Sequence, residues 1–146
     1  MEINDFLEHR EEDSQNIAHI KEFYRASMMG DKIALSELLV DEPTWNVCPG
    51  FPEGGVHRGM AEVFGTMYPN MRKHFHYLPW WAEPEVFIDV GDIVTALGFY
   101  KIVIKEGDPP LPVRFSHTWK IAPDGRIGGV WQVADSHVIQ EALKAE

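Results

Sequence analysis

The hydrophobic residues in the first third of the chain recur at helical intervals. Four positions, three or four residues apart, predict one amphipathic helix: Ile17, Ile20, Tyr24 and Met28. Asp13 or Ser14 supplies the N-cap of this helix, and Gly30 ends it. Asp31 then caps a second, short helix predicted over 32–40.

Proline and glycine interrupt the helical pattern in the middle of the chain. Residues 44–48 predict a short strand, and an irregular loop follows over 49–55. Apolar residues then return to a single stripe over 59–72. This stripe predicts a third helix, which Pro69 bends or ends early.

The chain after His74 has the composition of β-strands. Aromatic and β-branched residues fill four segments separated by turn residues, at 74–87, 93–105, 113–121 and 126–134. Asp135 or Ser136 caps a last short helix that ends at Leu143. Helices followed by a four-strand meander indicate an α+β fold with an antiparallel sheet, rather than a parallel βαβ fold.

Length and charge limit the classes of function. The 146 residues predict one domain, with 1–13 as a flexible tail, and no apolar run approaches the length of a membrane span. A net charge of −10 argues against a nucleic-acid or membrane partner, and against highly anionic substrates unless the pocket is locally basic. Cys48 is the only cysteine, which excludes a disulfide within the chain. A cytoplasmic protein is expected.

Seven histidines and five tryptophans suggest a pocket for an organic ligand. Period-two alternation places His117 in an apolar row with Phe115 and Trp119, and places Asp135 in a row with Trp131 on the next strand. A buried ionisable group must be paired or functional, because isolating it in apolar surroundings costs several kcal/mol. His117 and Asp135 are therefore candidate acid–base groups. The alternatives are a core histidine and a helix-capping aspartate.

His74 and His76 lie on one face of the first predicted strand. Two imidazoles at this spacing hold a metal ion in some β-barrels, but Glu83 is too distant to complete such a set. No metal is therefore predicted, and a site built from His74, His76 and His117 is a third alternative. One histidine instead suits acid–base work in the pocket, and the alternative is a surface or packing role. The sequence contains no phosphate-binding glycine loop, nucleophile elbow or zinc-protease motif.

Several short phrases resemble the nuclear transport factor 2-like superfamily, in its SnoaL-like and ketosteroid-isomerase-like branch. They are Phe23-Tyr24-Arg25-Ala26 with Gly30-Asp31, Leu38-Leu39, Pro43-Thr44-Trp45, Gly54-Gly55-Val56-His57-Arg58-Gly59, and Asp124-Gly125-Arg126-Ile127 through Asp135-Ser136. The resemblance extends over about 16–142. It implies a cystatin-like cone, in which helices pack on a strongly curved antiparallel sheet around an apolar pocket, and a homodimer formed through the sheet.

The resemblance also implies cofactor-independent chemistry on a small molecule. The aspartate base of the isomerases is replaced by Val47, and their oxyanion tyrosine falls near Phe23, one place from Tyr24. Asp135 stands where the polyketide cyclases carry an acid, and His74 resembles a catalytic histidine of the scytalone dehydratases.

The leading hypothesis is isomerase-, cyclase- or dehydratase-type proton transfer on an apolar or aromatic carbonyl compound, without cofactor or metal. Asp135 is the predicted acid or base, His117 its partner, and His74 a further catalytic residue. The predicted substrate-binding residues are Trp45, His76, Tyr100, Trp119 and Trp131. The alternative is a non-catalytic ligand-binding or dimeric assembly module of the same fold.

Overall fold

A computed structural model describes residues 13–76 and 81–145 of the chain. In chain order the elements are α1 (Gln15–Met29), α2 (Lys32–Leu38), β1 (Leu39–Val47), β2 (Gly55–Arg58), α3 (Met60–Glu62, Val63–Met67 and Tyr68–Arg72), β3 (Trp81–Asp89), β4 (Ile93–Ile102), β5 (Leu111–Ile121), β6 (Ile127–Ala134) and α4 (Ser136–Lys144). The predicted tail, 1–13, lies outside the described residues except for Asp13. None of the described helices combines the length and hydropathy of a transmembrane span.

The described strands form one sheet in the order β2-β1-β6-β5-β4-β3. Its pairs are antiparallel except one, because β1 runs parallel to β6, with Thr44 opposite Gly129. The predicted α+β class and antiparallel meander are confirmed, and the added pair of β1 with β6 makes the sheet mixed. The reason is topological: β1 precedes the meander, and the last strand of the meander returns beside it.

Local capping chemistry sets the ends of the first two helices as the sequence indicates. The Ser14 hydroxyl oxygen accepts a hydrogen bond from Ile17 N at 3.1 Å and caps α1. Gly30 ends α1 with a left-handed φ of 66°, and Asp31 caps α2 by accepting from Ala34 N at 3.0 Å. Side-chain acceptors at these positions satisfy amide groups that have no partner within the helix. Both predicted helices are present, although α2 ends at Leu38 rather than Val40, because Leu39 and Val40 already belong to β1.

The N-terminus of α1 is tied to the turn between β3 and β4. Asp89, at the end of β3, accepts hydrogen bonds from the Ser14 hydroxyl and from Gly91 N. The hydrogen bond from Ser14 is the first cause of a lowered pKa at Asp89, since it favours the charged carboxylate. Asn16 Nδ2 adds a bond to Gly91 O at 2.6 Å. These contacts fix how α1 lies across the sheet.

The middle of the chain differs from its predicted form. Residues 55–58 form strand β2, paired with β1, where a loop was expected. Helix α3 continues past Pro69 to Arg72. Pro69 is near the start of the helical segment that follows the π-helical stretch, and a proline, which lacks an amide proton, is tolerated at such a position. His74 and His76 follow α3 in a turn, and β3 begins only at Trp81.

Candidate functional site

A cavity of about 530 Å³ opens between α1, α3 and the inner face of the sheet. Apolar side chains form most of its walls, among them Phe23, Leu35, Met60, Phe64 and Trp119. A volume of this size and an apolar lining are typical of sites for small organic ligands.

Two tyrosines and a histidine form a hydrogen-bonded chain on the cavity floor. Tyr24 Oη lies 2.6 Å from His117 Nδ1, and Tyr100 Oη lies 2.6 Å from His117 Nε2. The three residues come from α1, β4 and β5, and all are buried. The floor therefore carries a polar group with a fixed geometry inside an otherwise apolar cavity.

Further donors support this chain from behind. Trp119 Nε1–H donates to Tyr24 Oη at 3.1 Å, and Gln132 Nε2–H donates to Tyr100 Oη at 3.2 Å. The amide oxygen of Gln132 accepts in turn from Cys48 N at 3.1 Å. The network thus extends from α1 across β4, β5 and β6 to the end of β1, and it holds both phenol rings in place.

Burial keeps the members of this network uncharged. It lowers the pKa of His117 to about 3, so the imidazole is neutral at ordinary pH. Burial also raises the pKa values of Tyr24 and Tyr100 well above their usual range, against the smaller effects of hydrogen bonds from Trp119 and Gln132. The floor therefore offers hydrogen bonds rather than charge.

A count of protons shows what the floor can offer to a ligand. A neutral imidazole has one N–H donor and one bare acceptor nitrogen. When the proton is on Nδ1 of His117, Tyr24 Oη accepts from both His117 and Trp119. The Tyr24 hydroxyl proton then has no acceptor among the described residues, and Tyr24 lines the cavity. In this tautomer the floor presents an O–H donor to the cavity.

Tyr68, on α3, supplies a second hydroxyl to the cavity wall. Trp45 Nε1–H donates to Tyr68 Oη at 3.0 Å and so orients the phenol. Burial raises the pKa of Tyr68 to about 12, and the positive charge of Arg72 opposes that rise. Tyr68 therefore remains a neutral donor that lies within the electrostatic reach of a guanidinium.

The cavity meets solvent at an exposed rim that carries positive charge. Ser27, Gly30, Lys32, Gly65 and Arg72 are its exposed lining residues. Lys32 is the first residue of α2, and Arg72 is the last residue of α3. No carboxylate lines the cavity in the described parts of the chain.

The structure brings together only part of the predicted site. His117, Tyr100 and Trp119 line the cavity and belong to one network or its wall. Trp45 lies one layer behind, in contact with Phe23 and Trp119 and bonded to Tyr68.

Asp135 and Trp131 do not face the cavity. Asp135 is exposed and caps α4, with its Oδ1 accepting from Val138 N at 3.1 Å. Trp131 is 64% exposed on the outer face of the sheet. The predicted alternation fails because β5 and β6 change register at residues 120–121, so that one extra residue in β6 reverses which side chains face inward.

His74 and His76 also lie away from the cavity lining. Both are exposed in the turn after α3, so the prediction that they share a strand face was wrong. Proximity to the helix end explains the turn, since His74 N still bonds to Met71 O at 3.2 Å. Within 13–76 and 81–145, no three His, Cys, Asp or Glu residues are grouped closely enough to hold a metal ion.

Several functional side chains were absent from the predicted set. Tyr24 was assigned only to the apolar stripe of α1, although a tyrosine inside such a stripe is a signal of a buried hydroxyl needing a partner. Gln132 was assigned to the wrong face because of the register change. For Tyr68, Lys32 and Arg72 the sequence carries no comparable signal, because only the tertiary fold brings them to one cavity.

Comparison with known proteins identifies the fold. No family model matches the chain, and no curated protein matches it. Among solved structures, a nuclear transport factor 2-like protein of unknown function from Burkholderia pseudomallei is 20% identical, with a TM-score of 0.77 over 90% of this chain and 98% of that chain. The protein TerC, co-crystallised with polyporic acid, is 19% identical, with a TM-score of 0.77 over 90% and 99%.

A third similar structure carries a name from the predicted branch. A SnoaL-like polyketide cyclase from Shewanella denitrificans is 15% identical, with a TM-score of 0.71 over 92% of this chain and all of the other. At these identities the likeness establishes architecture, and function has to be argued from the site. The chain therefore has the α+β cystatin-like fold of the nuclear transport factor 2-like and SnoaL-like proteins, as its sequence phrases imply.

Proposed function

We propose that the protein binds a small, flat, largely apolar or aromatic molecule that carries an oxygen acceptor, and that the ligand oxygen accepts a hydrogen bond from Tyr24. The single observation that carries the proposal is the proton count on the cavity floor, which leaves the Tyr24 hydroxyl free to donate when the His117 proton is on Nδ1. A ligand oxygen at this point would favour the tautomer of His117 with its proton on Nδ1.

The walls of the cavity support a flat, apolar ligand. Phe23, Phe64 and Trp119 offer aromatic surfaces, and aromatic rings pack well against such surfaces in offset or edge-to-face arrangements. The fold neighbour TerC was co-crystallised with polyporic acid, which is consistent with a cavity of this architecture holding an organic acid.

Binding is favoured over chemistry that depends on Asp135. Its carboxylate caps α4 instead of lining the cavity, and a histidine with a pKa of about 3 is a poor base near neutral pH. Proton transfer on the same ligand class is a second candidate function, favoured by the Tyr24 hydroxyl, which can stabilise negative charge developing on a ligand oxygen. The catalytic roles of Asp135, His117 and His74 stay predictions.

The test compares two probes that differ in one oxygen acceptor. 2-Acetonaphthone is expected to bind the wild-type protein about fivefold more tightly than 2-ethylnaphthalene, since a net hydrogen bond contributes about 1 kcal/mol. Tyr24→Phe is expected to remove most of this preference while the hydrocarbon binds as before. Dissociation constants from isothermal titration calorimetry measure both effects.

Thr118→Val serves as the control, because it removes a hydroxyl on β5, the strand of His117, from a residue that does not line the cavity. It is expected to leave both constants unchanged. Equal affinity of the two probes for the wild-type protein would contradict the proposed hydrogen bond, and failure of both to bind would contradict the cavity as the binding site.

We also propose that the protein forms a homodimer through the outer face of the sheet. Exposed apolar residues gather on this face along β3, β4 and β6: Val86, Ile88, Leu97, Trp131 and Val133. Apolar surface of this kind is typical of protein interfaces. Trp131→Lys combined with Val133→Lys is expected to convert a dimer to a monomer in light scattering after size exclusion.

Val56→Lys is the matched control for the dimer, because Val56 is similarly exposed but lies on β2 at the opposite edge of the sheet. A wild-type monomer at micromolar concentration, or an equal effect of Val56→Lys, would count against the outer face as the interface.

A further inference from the structure

The charged residues of the cavity lining are all of one sign. In the described lining these are Lys32 and Arg72, although acidic residues outnumber basic ones by 23 to 13 in the whole chain. A cavity that has only cations in an acidic protein carries a local potential opposite to the average of the surface.

The two cations of the lining have no carboxylate partner within 13–76 and 81–145. In the described structure, Lys32 and Arg72 make no ion pair with a carboxylate, whereas Lys21 pairs with Asp13 and Arg25 with Glu22. Both side chains are exposed at the rim and lie on different helices, α2 and α3. Arg72 also lies close enough to Tyr68, another lining residue, for its positive charge to oppose the rise in the pKa of the Tyr68 hydroxyl.

We infer that the ligand is an anion, whose apolar ring fills the cavity and whose carboxylate or similar oxyanion lies at the rim between Lys32 and Arg72. This inference rests on the proposed binding function and names its substrate class. The guanidinium of Arg72 suits a planar oxyanion, because its donors match two oxygens at once, and Lys32 adds a point charge from a different helix.

At physiological salt, the acidic surface of the protein does not prevent an anion from binding at the rim. Interactions between exposed charges are largely screened beyond about 8 Å, so that the nearest charges decide the potential felt at the rim. The charged residues of the described lining are both positive, and the carboxylate of Asp31, which directly precedes Lys32, accepts a hydrogen bond from Ala34 N as the cap of α2.

The experiment compares 6-acetyl-2-naphthoate with 2-acetonaphthone, so that both probes keep a ketone oxygen for Tyr24 and only the first carries a carboxylate, at the opposite end of the ring system. Dissociation constants are measured by calorimetry at low and high salt for the wild type, Lys32→Met, Arg72→Met and the double variant. Lys73→Met is the control, because Lys73 follows Arg72 directly, changes the net charge equally and does not line the cavity.

The wild type is expected to bind the carboxylate about tenfold more tightly than the ketone at low salt, and less selectively at high salt. Each rim substitution is expected to weaken carboxylate binding about two- to fivefold, with little change for the ketone, since an ion pair between exposed groups is weak. Lys73→Met is expected to change neither constant.

Two results would overturn the inference and leave the proposed function intact. One is ketone binding without any preference for the carboxylate, and the other is an equal loss in Lys73→Met and the rim variants. Absence of binding by both probes would instead overturn the proposed function, and the inference with it.

Discussion

Replacing His117 with asparagine is expected to flatten the pH dependence of folding stability between pH 6.5 and 4.5. Burial lowers the pKa of His117 to about 3 in the folded protein, whereas an unfolded histidine titrates near 6.5. Within this window the unfolded chain binds a proton that the folded protein does not. The free energy of unfolding of the wild type therefore falls by up to about 1.4 kcal/mol per pH unit because of this residue, as the pH is lowered.

Urea unfolding at intervals across this pH range measures the effect. The slope for His117→Asn is expected to be smaller than that of the wild type by up to one proton, which amounts to about 2 kcal/mol over the two pH units, because the unfolded histidine is only half protonated at pH 6.5. His137→Asn is the control, because His137 is exposed on α4, and it is expected to retain the wild-type slope.

The wild-type protein provides a second readout that does not depend on the stability of the variant. Nitrogen NMR of the His117 imidazole is expected to show one protonated and one bare nitrogen, unchanged from pH 7 to 4.5. Titration of His117 in the folded protein near pH 6 would contradict both the burial and the neutral network.

Gly98→Ala is expected to destabilise the protein by about 3 kcal/mol, because overpacking of a rigid backbone contact is costly. Gly98 lies on β4, opposite an irregularity of β3 between Pro84 and Val86. A methyl group at Gly98 would approach Glu83 O to 2.2 Å and Pro84 Cα to 2.6 Å. Both are main-chain atoms, so no side-chain rotation relieves the clash, and the strands must separate.

Gly65→Ala is the matched control, because a methyl group there meets no atom within 4 Å and the residue lies in a helical stretch. This substitution is expected to be neutral or to stabilise by up to about 1 kcal/mol, as alanine favours helix. Midpoints of chemical unfolding measure both variants. Similar midpoints for Gly98→Ala and the wild type would show that β3 and β4 adjust at no cost.

The sequence predicts the elements of this fold better than the pairing between them. Ser14, Gly30 and Asp31 determine helix ends through bonds to nearby backbone, and such bonds depend only on adjacent residues. Parallel pairing of β1 with β6 depends on where the chain returns after the meander, for which local residues carry no signal.

The sequence predicts only part of the site, again because local residues carry no signal for how the strands pair. His117 and Trp119 lie on β5, before the point where its pairing with β6 changes register. Alternation along β5 therefore places both side chains on the correct face. Trp131 and Gln132 follow the extra residue in β6, and their faces are exchanged relative to the prediction. A single inserted residue is invisible to a period-two pattern, but it reverses every later side chain.

The net charge of the chain does not predict the charge of the cavity lining. The value of −10 argues against anionic substrates only if the charges are spread evenly, and the rim with Lys32 and Arg72 departs from the average. A total charge describes long-range attraction and solubility, whereas a binding site responds to the few charges within a Debye length.

The parallel pairing of β1 with β6 also has a consequence for the order of folding. Gln132 on β6 bonds to Cys48 at the end of β1, a residue 84 positions earlier in the chain. Contacts over such separations require closure of a long loop, which costs chain entropy. During synthesis α1, α2 and β1 emerge first, but the backing of Tyr100 is complete only after β6 has left the ribosome. The cavity floor can therefore reach its final arrangement only after β6 has been made.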